Sequence, residues 1–456
     1  MASSLQVKAA LFRNALAGGA GKISLILFRI VQVPLLLSAL GVEEYGRWLV
    51  LASLPTWLTL ANLGFGSVAA NEMSMAVAAL DLPRARSVFS TTLALLAVLS
   101  LLGTAIIVLL APLIPWETML NVSTARHSEM TAAVLWLGLA VLISFFGDVF
   151  YGCFRAARKA HQGVLLNSIR PWADLVAMIA ALHYGTRFDH LALALLCSAV
   201  IFNGCYYWLS RRSMPELSCS LRLVQPARFH ELFKKGIAFQ AFPLGNAVLF
   251  QGNLLVVQAT LGPVAVALFG TARTLIRSVN QAMDLVNQAI WPELSHLLGS
   301  GDLSRAARLH RLAVVISVTT AILSVVGLAV FGQTLYGWWT GKAIELPQYL
   351  LLLFLLPIPF NALWFTSSVV HVACNQHEGL AVRYVAATCL SVAACIFLSS
   401  YMGIEGAALS TLVVDLVLIP YVLKRSLLLT GDSWLGFAQG VAHDLRSTVD
   451  LLRRSA

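Results

Sequence analysis

Arg273, Arg277, Asn280, Gln281, Asp284, Asn287 and Gln288 fall within one apolar stretch, residues 264–290. Steps of i, i+4, i+7, i+11 and i+14 gather them into one stripe on a helix. Two arginines one turn apart repel each other in low dielectric unless an anion lies nearby. A guanidinium offers a planar fork of donors that fits a phosphate. Amides and indoles are the usual partners of sugar hydroxyls and pyranose faces. The stripe therefore carries the chemistry of a phosphate site at Arg273 and Arg277, with hydroxyl partners at Asn280 and Gln281. Asp284 reads equally as a counter-ion and as a proton or cation site.

Three other apolar stretches carry matching residues. Residues 23–40 hold Arg29 and Gln32, on a similar face to Lys22. Residues 48–70 hold Trp57 and Asn62. Residues 236–258 place Gln240, Gln251 and Gln258 on one helical face, and Asn246 and Asn253 on another. A purely structural reading competes with ligand contact. Arg277 and Asp284 lie two turns apart and could join a buried ion network with Asp148, Asp174 or Asp415. Arg29 and Arg170 lie near enough to the ends of their stretches to snorkel.

The elements that hold these residues must be membrane helices. The chain has 456 residues, 59% hydrophobic and 11% charged, with mean hydropathy +0.80. A soluble domain is about a quarter charged. A water-soluble fold of this size has no means of hiding so much apolar surface. Twelve runs are long enough to cross the hydrocarbon core: 23–40, 48–70, 88–111, 131–152, 164–183, 191–209, 236–258, 264–290, 312–335, 349–372, 384–400 and 407–423. The runs are continuous, not alternating, which excludes a β-barrel. An ionised side chain at the bilayer centre costs at least ~2.5 kcal/mol, so the stripe faces protein or a water-filled cavity. At the helical rise, Arg273 lies ~15 Å from the outer end of its run and Arg29 ~9 Å from the cytoplasmic end of its own.

Placing the N-terminus in the cytoplasm leaves 23 of the 31 Lys and Arg in cytoplasmic segments and four in outer loops, Arg47, Arg126, Arg187 and Lys342. The positive-inside rule therefore puts both termini in the cytoplasm. The net charge of +10 reflects this bias together with attraction to anionic lipid headgroups. No basic patch stands apart from the membrane flanks, so nucleic acid is not an expected partner. No outer loop holds any of the seven cysteines and no CxxC occurs, which speaks against disulfides and zinc. The first run leads into SALGVEEYG without a small-residue cleavage site and reads as an uncleaved anchor.

The chain also repeats itself. NEMSMAVAALDLPRA, Asn71 to Ala85, matches PELSHLLGSGDLSRA, Pro292 to Ala306, at six of 15 positions with an offset of 221. The offset maps runs one and two onto runs seven and eight. An even number of runs separates the copies, so the halves share one orientation, a parallel repeat about the membrane normal. The expected architecture is all-α: a cytoplasmic segment 1–22, a six-helix bundle 23–209, a linker 210–235, a second bundle 236–423 and a tail 424–456. A 6+6 pair encloses a cavity on its pseudo-twofold axis, and such folds move substrates by rocking their halves alternately. The connector also has a local reading as a capped turn, with Asp302 or Ser304 capping the following helix. In the tail, Trp434, Phe437, Ala438, Val441, Leu445, Val449 and Leu452 recur at helical spacing, as in an amphipathic helix on the inner membrane surface.

No GxxxxGK[ST], HExxH or GxSxG occurs, and no outer loop is large enough to house a catalytic domain. The chain reads as a transporter rather than an enzyme, without a cofactor or metal.

The segment LGVEEYGRWLVLASLPTWLTLANLGFGSVAANEMS, Leu40 to Ser74, resembles the polysaccharide (O-antigen-type) flippases of the multidrug/oligosaccharidyl-lipid/polysaccharide (MOP) exporter superfamily. LG-x-x-x-YG-x-W after run one and N-LGFG-S-x-x-x-NE at the end of run two carry the likeness. The second half adds WPELS and GDLSRAARLHR. The resemblance implies a V-shaped pair of six-helix bundles around a central cavity. It implies transport of an undecaprenyl-diphosphate-linked glycan from the cytoplasmic to the outer leaflet, in contact with membrane lipids and alongside a polymerase and other polysaccharide-assembly proteins. In similar lipid II-type proteins arginines in runs one and eight bind the diphosphate; Arg29, Arg273 and Arg277 stand in comparable runs. Gln32, Trp57, Asn62, Gln251, Asn253, Asn280 and Gln281 are the glycan candidates. Three rivals remain. A cation-coupled drug or metabolite exporter of the same fold expects acidic cavity residues. A polysaccharide polymerase or ligase expects a large catalytic outer loop. A scaffold expects no hydrated cavity.

Overall fold

The computed structural model describes residues 4–225, 240–374 and 376–441. They form helices, turns and loops, with no strand among the described residues. Eleven segments among them are long and apolar enough to cross a membrane. The remaining expected run, 264–290, lies in one unbroken helix, Pro263–Gly299, whose polar stripe keeps it out of that set. The chain is a multi-pass membrane protein whose regular structure, among the described residues, is helical.

Contacts divide the chain into two compact units, one running to Ala247 and including Gly262–Ala267, the other comprising Val248–Leu261 and everything from Leu268. The first unit contains α1 (Ser4–Leu40), α2 (Val42–Leu58), α3 (Phe65–Ala78), α4 (Leu82–Leu110), α5 (Trp116–Leu120), α6 (His127–Ala156), α7 (Ala160–Leu182), α8 (Phe188–Ser213) and α9 (Ala241–Ala247). α3 packs closely on α6. A Cβ on Gly66 would lie 2.2 Å from the Asp148 Cβ, and one on Gly152 2.9 Å from the Ala70 Cα. Small residues let membrane helices meet at this distance, where packing rather than the hydrophobic effect holds them. Phe154 then stacks on Tyr206 of α8 at 5.4 Å between centroids.

One end of this unit is pinned by charge. Arg47 bonds Glu43, Glu44 and the carbonyls of Leu120 and Asn121. Arg126 joins Glu44 at 2.8 Å and Glu129 at 3.1 Å. Glu129, 8% exposed, also accepts from the first helical N–H of α8, at Phe188. One network thus ties α2, the short α5, α6 and α8 where they leave the membrane.

The second unit contains a π-helical turn, Val248–Gly252, then α10 (Asn253–Leu261), most of α11 (Pro263–Gly299), α12 (Leu303–Trp339), α13 (Gln348–Leu355), α14 (Pro357–Ala373), α15 (Glu378–Met402), α16 (Ile404–Ser410) and α17 (Leu412–Leu429). The repeated connector folds alike in both units. Asp81 Oδ1 accepts from Arg84 N at 3.0 Å, and Asp302 Oδ1 from Arg305 N at 3.1 Å. Ahead of each cap the chain turns through a left-handed residue, Leu80 in one copy and Gly301 in the other. Asp81 N reaches back to Ala76 O and Asp302 N to Leu297 O, closing the preceding helix identically. The matching words DLPRA and DLSRA are therefore stop-and-start signals.

The described start of the tail, 434–441, is helical; Leu445, Val449 and Leu452 of the expected amphipathic face lie outside the described residues, as do 226–235 of the expected linker. Arg311 of α12 pairs with Asp432 at 2.8 Å, their side chains 16% and 8% exposed. Phe437 packs on His310 at 5.6 Å, and the Gly440 backbone sits against the Arg311 guanidinium. Removing one partner of a buried pair strands the other charge, at about 3 kcal/mol or more. Asp432→Ala should lower the melting temperature and raise hydrogen exchange across 433–441; unchanged exchange there would show that the pair does not anchor the tail.

Candidate functional site

In the first unit the run expected over 48–70 is broken. α2 stops at Leu58, Thr59–Asn62 winds as a 3₁₀ turn, and Leu63 and Gly64 are both left-handed before α3 starts. Gly64 makes the second left-handed step cheap. A broken helix frees carbonyls, which at membrane depth must meet protein or water. Leu60 O accepts from Leu63 N and from the Gln240 side chain, the latter at 3.0 Å. Asn62 Nδ2 donates to Asp148 Oδ2 at 3.0 Å while its own side-chain oxygen has no partner. Trp57 is half-buried just before the break.

Arg29 and Gln32 are half-buried on α1. Arg29 makes no ion pair or hydrogen bond among the described residues. Arg170, by contrast, turns into the protein. It bonds Ser144, lies 5.9 Å from the Phe202 centroid and is within electrostatic reach of Asp148 and Asp174. Asp174 also accepts from Ser198 at 2.7 Å. Asp148 and Asp174 are thus occupied by local donors, whereas Arg29 has no such partner among the described residues.

In the second unit Arg273 and Arg277 converge on Phe250. Their guanidinium carbons lie 5.1 and 4.4 Å from its ring centroid, and Arg273 also lies 5.4 Å from Phe269. Arg273 Nη1 donates to Phe250 O at 2.7 Å. The π-turn over 248–252 explains this bond: winding i→i+5 disturbs the carbonyl ladder, and the arginine restores a donor. Each cation–π contact contributes about 0.5–2 kcal/mol, and their attraction to one ring offsets part of the repulsion between the two cations. Phe250 is the residue the sequence does not announce, since no motif marks a π-turn.

Around this pair the amides diverge. Asn280 and Gln281 are half-buried, and each has a side-chain oxygen without a partner. Asn253 is fully buried with both amide atoms unpartnered, so it points into the bundle and a ligand reaches it only if the bundle opens. Gln251 is half-buried on the π-turn. Asn287 bonds Phe365 O at 3.5 Å, and Asp284 accepts from Gln288 at the same distance. Asp415, 3% exposed, accepts from Trp364 Nε1 at 2.7 Å and Asn361 Nδ2 at 3.1 Å. Tyr384 lies within electrostatic reach of both Asp415 and Arg277. The arrangement can bind an anion through guanidinium edges and accept hydrogen bonds from hydroxyls through the two amides.

No protein-family model and no curated protein matches the sequence. Solved structures do match. A multidrug resistance MATE family transporter of the MOP superfamily, in an inward-facing conformation, aligns with a TM-score of 0.72 at 16% identity, over 92% of this chain and 100% of that one. The MATE multidrug transporter DinF-BH aligns at 0.68 and 14%, over 95% and 99%. A MOP superfamily transporter from Pyrococcus furiosus, described as having a binding pocket of reverse polarity that suggests a different function, aligns at 0.64 and 16%, over 92% and 96%. The chain therefore has the fold of the MATE transporters of the MOP superfamily along nearly its whole length.

Proposed function

We propose that this protein is a transporter that flips a polyprenyl-diphosphate-linked oligosaccharide from the cytoplasmic to the outer leaflet of a bacterial inner membrane, by alternating access and with both termini cytoplasmic. One observation carries the reading: Arg273 and Arg277 are gathered on Phe250 beside amides whose oxygens lack partners. A diphosphate sheds much of its water to cross hydrocarbon, and arginine forks replace that water. In the first unit Arg29 is a further cation, with no ion pair or hydrogen bond among the described residues. Asn62, Asn280 and Gln281 offer acceptors for sugar hydroxyls, and Gln32, Trp57 and Gln251 are half-buried close by in the chain. The partners of this reading are the lipid-linked glycan, bilayer lipids, and a polymerase with other polysaccharide-assembly proteins. Deleting the gene should make lipid-linked glycan accumulate on the inner leaflet, read by protection from an added glycosidase. A normal leaflet distribution would rule the function out.

A second reading, a cation-coupled multidrug or metabolite exporter, has support from Asp415, a carboxylate beside Trp364 and Tyr384, and from the names of the structural neighbours. It expects Asp415→Asn to abolish efflux of a lipophilic cation, while the glycan reading expects no such efflux to begin with.

A further inference from the structure

In the first unit α7 and α8 form an antiparallel hairpin, joined through residues 183–187. An open groove of about 1060 Å³ runs between them. Small side chains at Ala173, Ala177, Ala180 and Ala194 keep it wide, and Val176 and Ile201, both exposed, border it. No Lys, Arg, Asp or Glu lines it. Ser198, in its wall, already donates to Asp174 at 2.7 Å. His190 and Tyr184 stand at the joined end. The walls suit hydrocarbon and offer no counter-charge to an ionised head.

The charge lies beyond the other end. Along α8, Ile201, Cys205, Trp208 and Arg212 follow at i, i+4, i+7 and i+11, so the face that lines the groove continues to Trp208 and Arg212. Trp208 is exposed, and the Arg212 guanidinium carbon lies 3.8 Å from its ring centroid. Arg212 is itself exposed and makes no ion pair or hydrogen bond among the described residues. Indoles and arginines of this kind anchor at the membrane–water interface. Stacking uses the guanidinium face and leaves its edge open to a phosphate. On the expected topology this is the cytoplasmic end, where cargo is loaded.

Length selects the occupant. The groove covers 169–184 of α7, ~22 Å at the helical rise, and Arg212 stands ~10 Å past Cys205, the last α8 residue to line it. One leaflet of hydrocarbon is ~15 Å deep. A phospholipid with its phosphate on Arg212 would bring only ~5 Å of acyl chain into the groove. A polyprenyl chain is longer than a leaflet and fills it.

We propose that the α7–α8 groove holds the polyprenyl chain of the lipid-linked cargo, with the phosphate end of that lipid on Arg212 before the head crosses. The proposal rests on the flippase reading and adds to it a seat for the tail.

Full-length protein in phosphatidylcholine nanodiscs would be photolabelled with undecaprenyl phosphate carrying a diazirine on its chain, and the adducts mapped by mass spectrometry. Label should fall within 169–205. Ala177→Trp fills the groove without altering charge and should weaken binding about tenfold. Arg212→Ala should do the same through loss of one charge-assisted contact, and Arg212→Lys should retain most of the affinity. Melting temperatures matching the parent chain would show that the variants are folded. Competition by phosphatidylglycerol as effective as that by unlabelled undecaprenyl phosphate would overturn the assignment in favour of a resident phospholipid. A dimer of the parent chain that Ala177→Trp dissociates would overturn it in favour of a second copy packed on the alanine face. Label outside the groove and insensitive to both variants, with glycan transfer in proteoliposomes intact, would remove the site and leave the flippase reading standing. No label and no glycan transfer would remove both.

Discussion

Arg273→Ala combined with Arg277→Ala should lower glycan translocation by about 100-fold or more. Each arginine supplies charge-assisted bonds worth about 1.5–3 kcal/mol, and every ~1.4 kcal/mol is a factor of ten. The fold should survive, because the pair rests on the faces of Phe250 and Phe269 and donates to one backbone carbonyl there, Phe250 O. The stranded carbonyl costs about 1–3 kcal/mol, which should appear as a modest fall in melting temperature. Lysine at both positions separates charge from shape. It keeps two cations but loses the fork, and should recover part of the transport. A folded double alanine variant that transports at the parent rate would show that the pair serves packing alone.

Gly66→Leu should be strongly damaging to the first unit. The new Cβ would sit 2.2 Å from the Asp148 Cβ and 3.3 Å from its Cα, so no rotamer relieves the clash. α3 must move off α6 by more than ~1 Å, in an interior packed as densely as a crystal. That shift also strains the Asn62–Asp148 bond and the Gly152–Ala70 contact. Overpacking of this kind costs about 3 kcal/mol. The melting temperature should fall by roughly 5–10 °C. Gly152→Ala should fall less, since part of its crowding comes from the flexible Met73 methyl. Equal melting of Gly66→Leu and the parent would mean that α3 and α6 are not in close contact.

Much of this was legible in residue order. Continuous apolar runs with a biased charge distribution require an all-helical membrane protein, and eleven of the twelve runs have apolar helices long enough to span. The run without one is the run that carries the polar stripe; the stripe and the lowered hydropathy are one fact. The duplicated connector was visible because a turn with a capping aspartate and a left-handed step tolerates few spellings. The break at Thr59–Gly64 had a signal in Asn-Leu-Gly, but 23 largely apolar residues, 48–70, read as one continuous run. The π-turn at 248–252 had none, because no sequence motif marks such a turn. For the same reason nothing in the sequence marks Phe250, and Asn253, assigned to a ligand by type, is enclosed within its bundle. In the flippase-like motif, Tyr45 and Trp48 are buried and Trp48 packs on Phe188 at 5.7 Å. Those residues build the scaffold, which is why they mark the fold better than the cargo.

The most direct measurement is leaflet transfer in proteoliposomes holding the purified chain and a fluorescent polyprenyl-diphosphate oligosaccharide. Lipid-linked glycan should reach the far leaflet at a rate set by the protein, and alanine at Arg29, Arg273 and Arg277 together should stop it. Efflux of a lipophilic cation that depends on Asp415, with no glycan crossing, would contradict the flippase assignment.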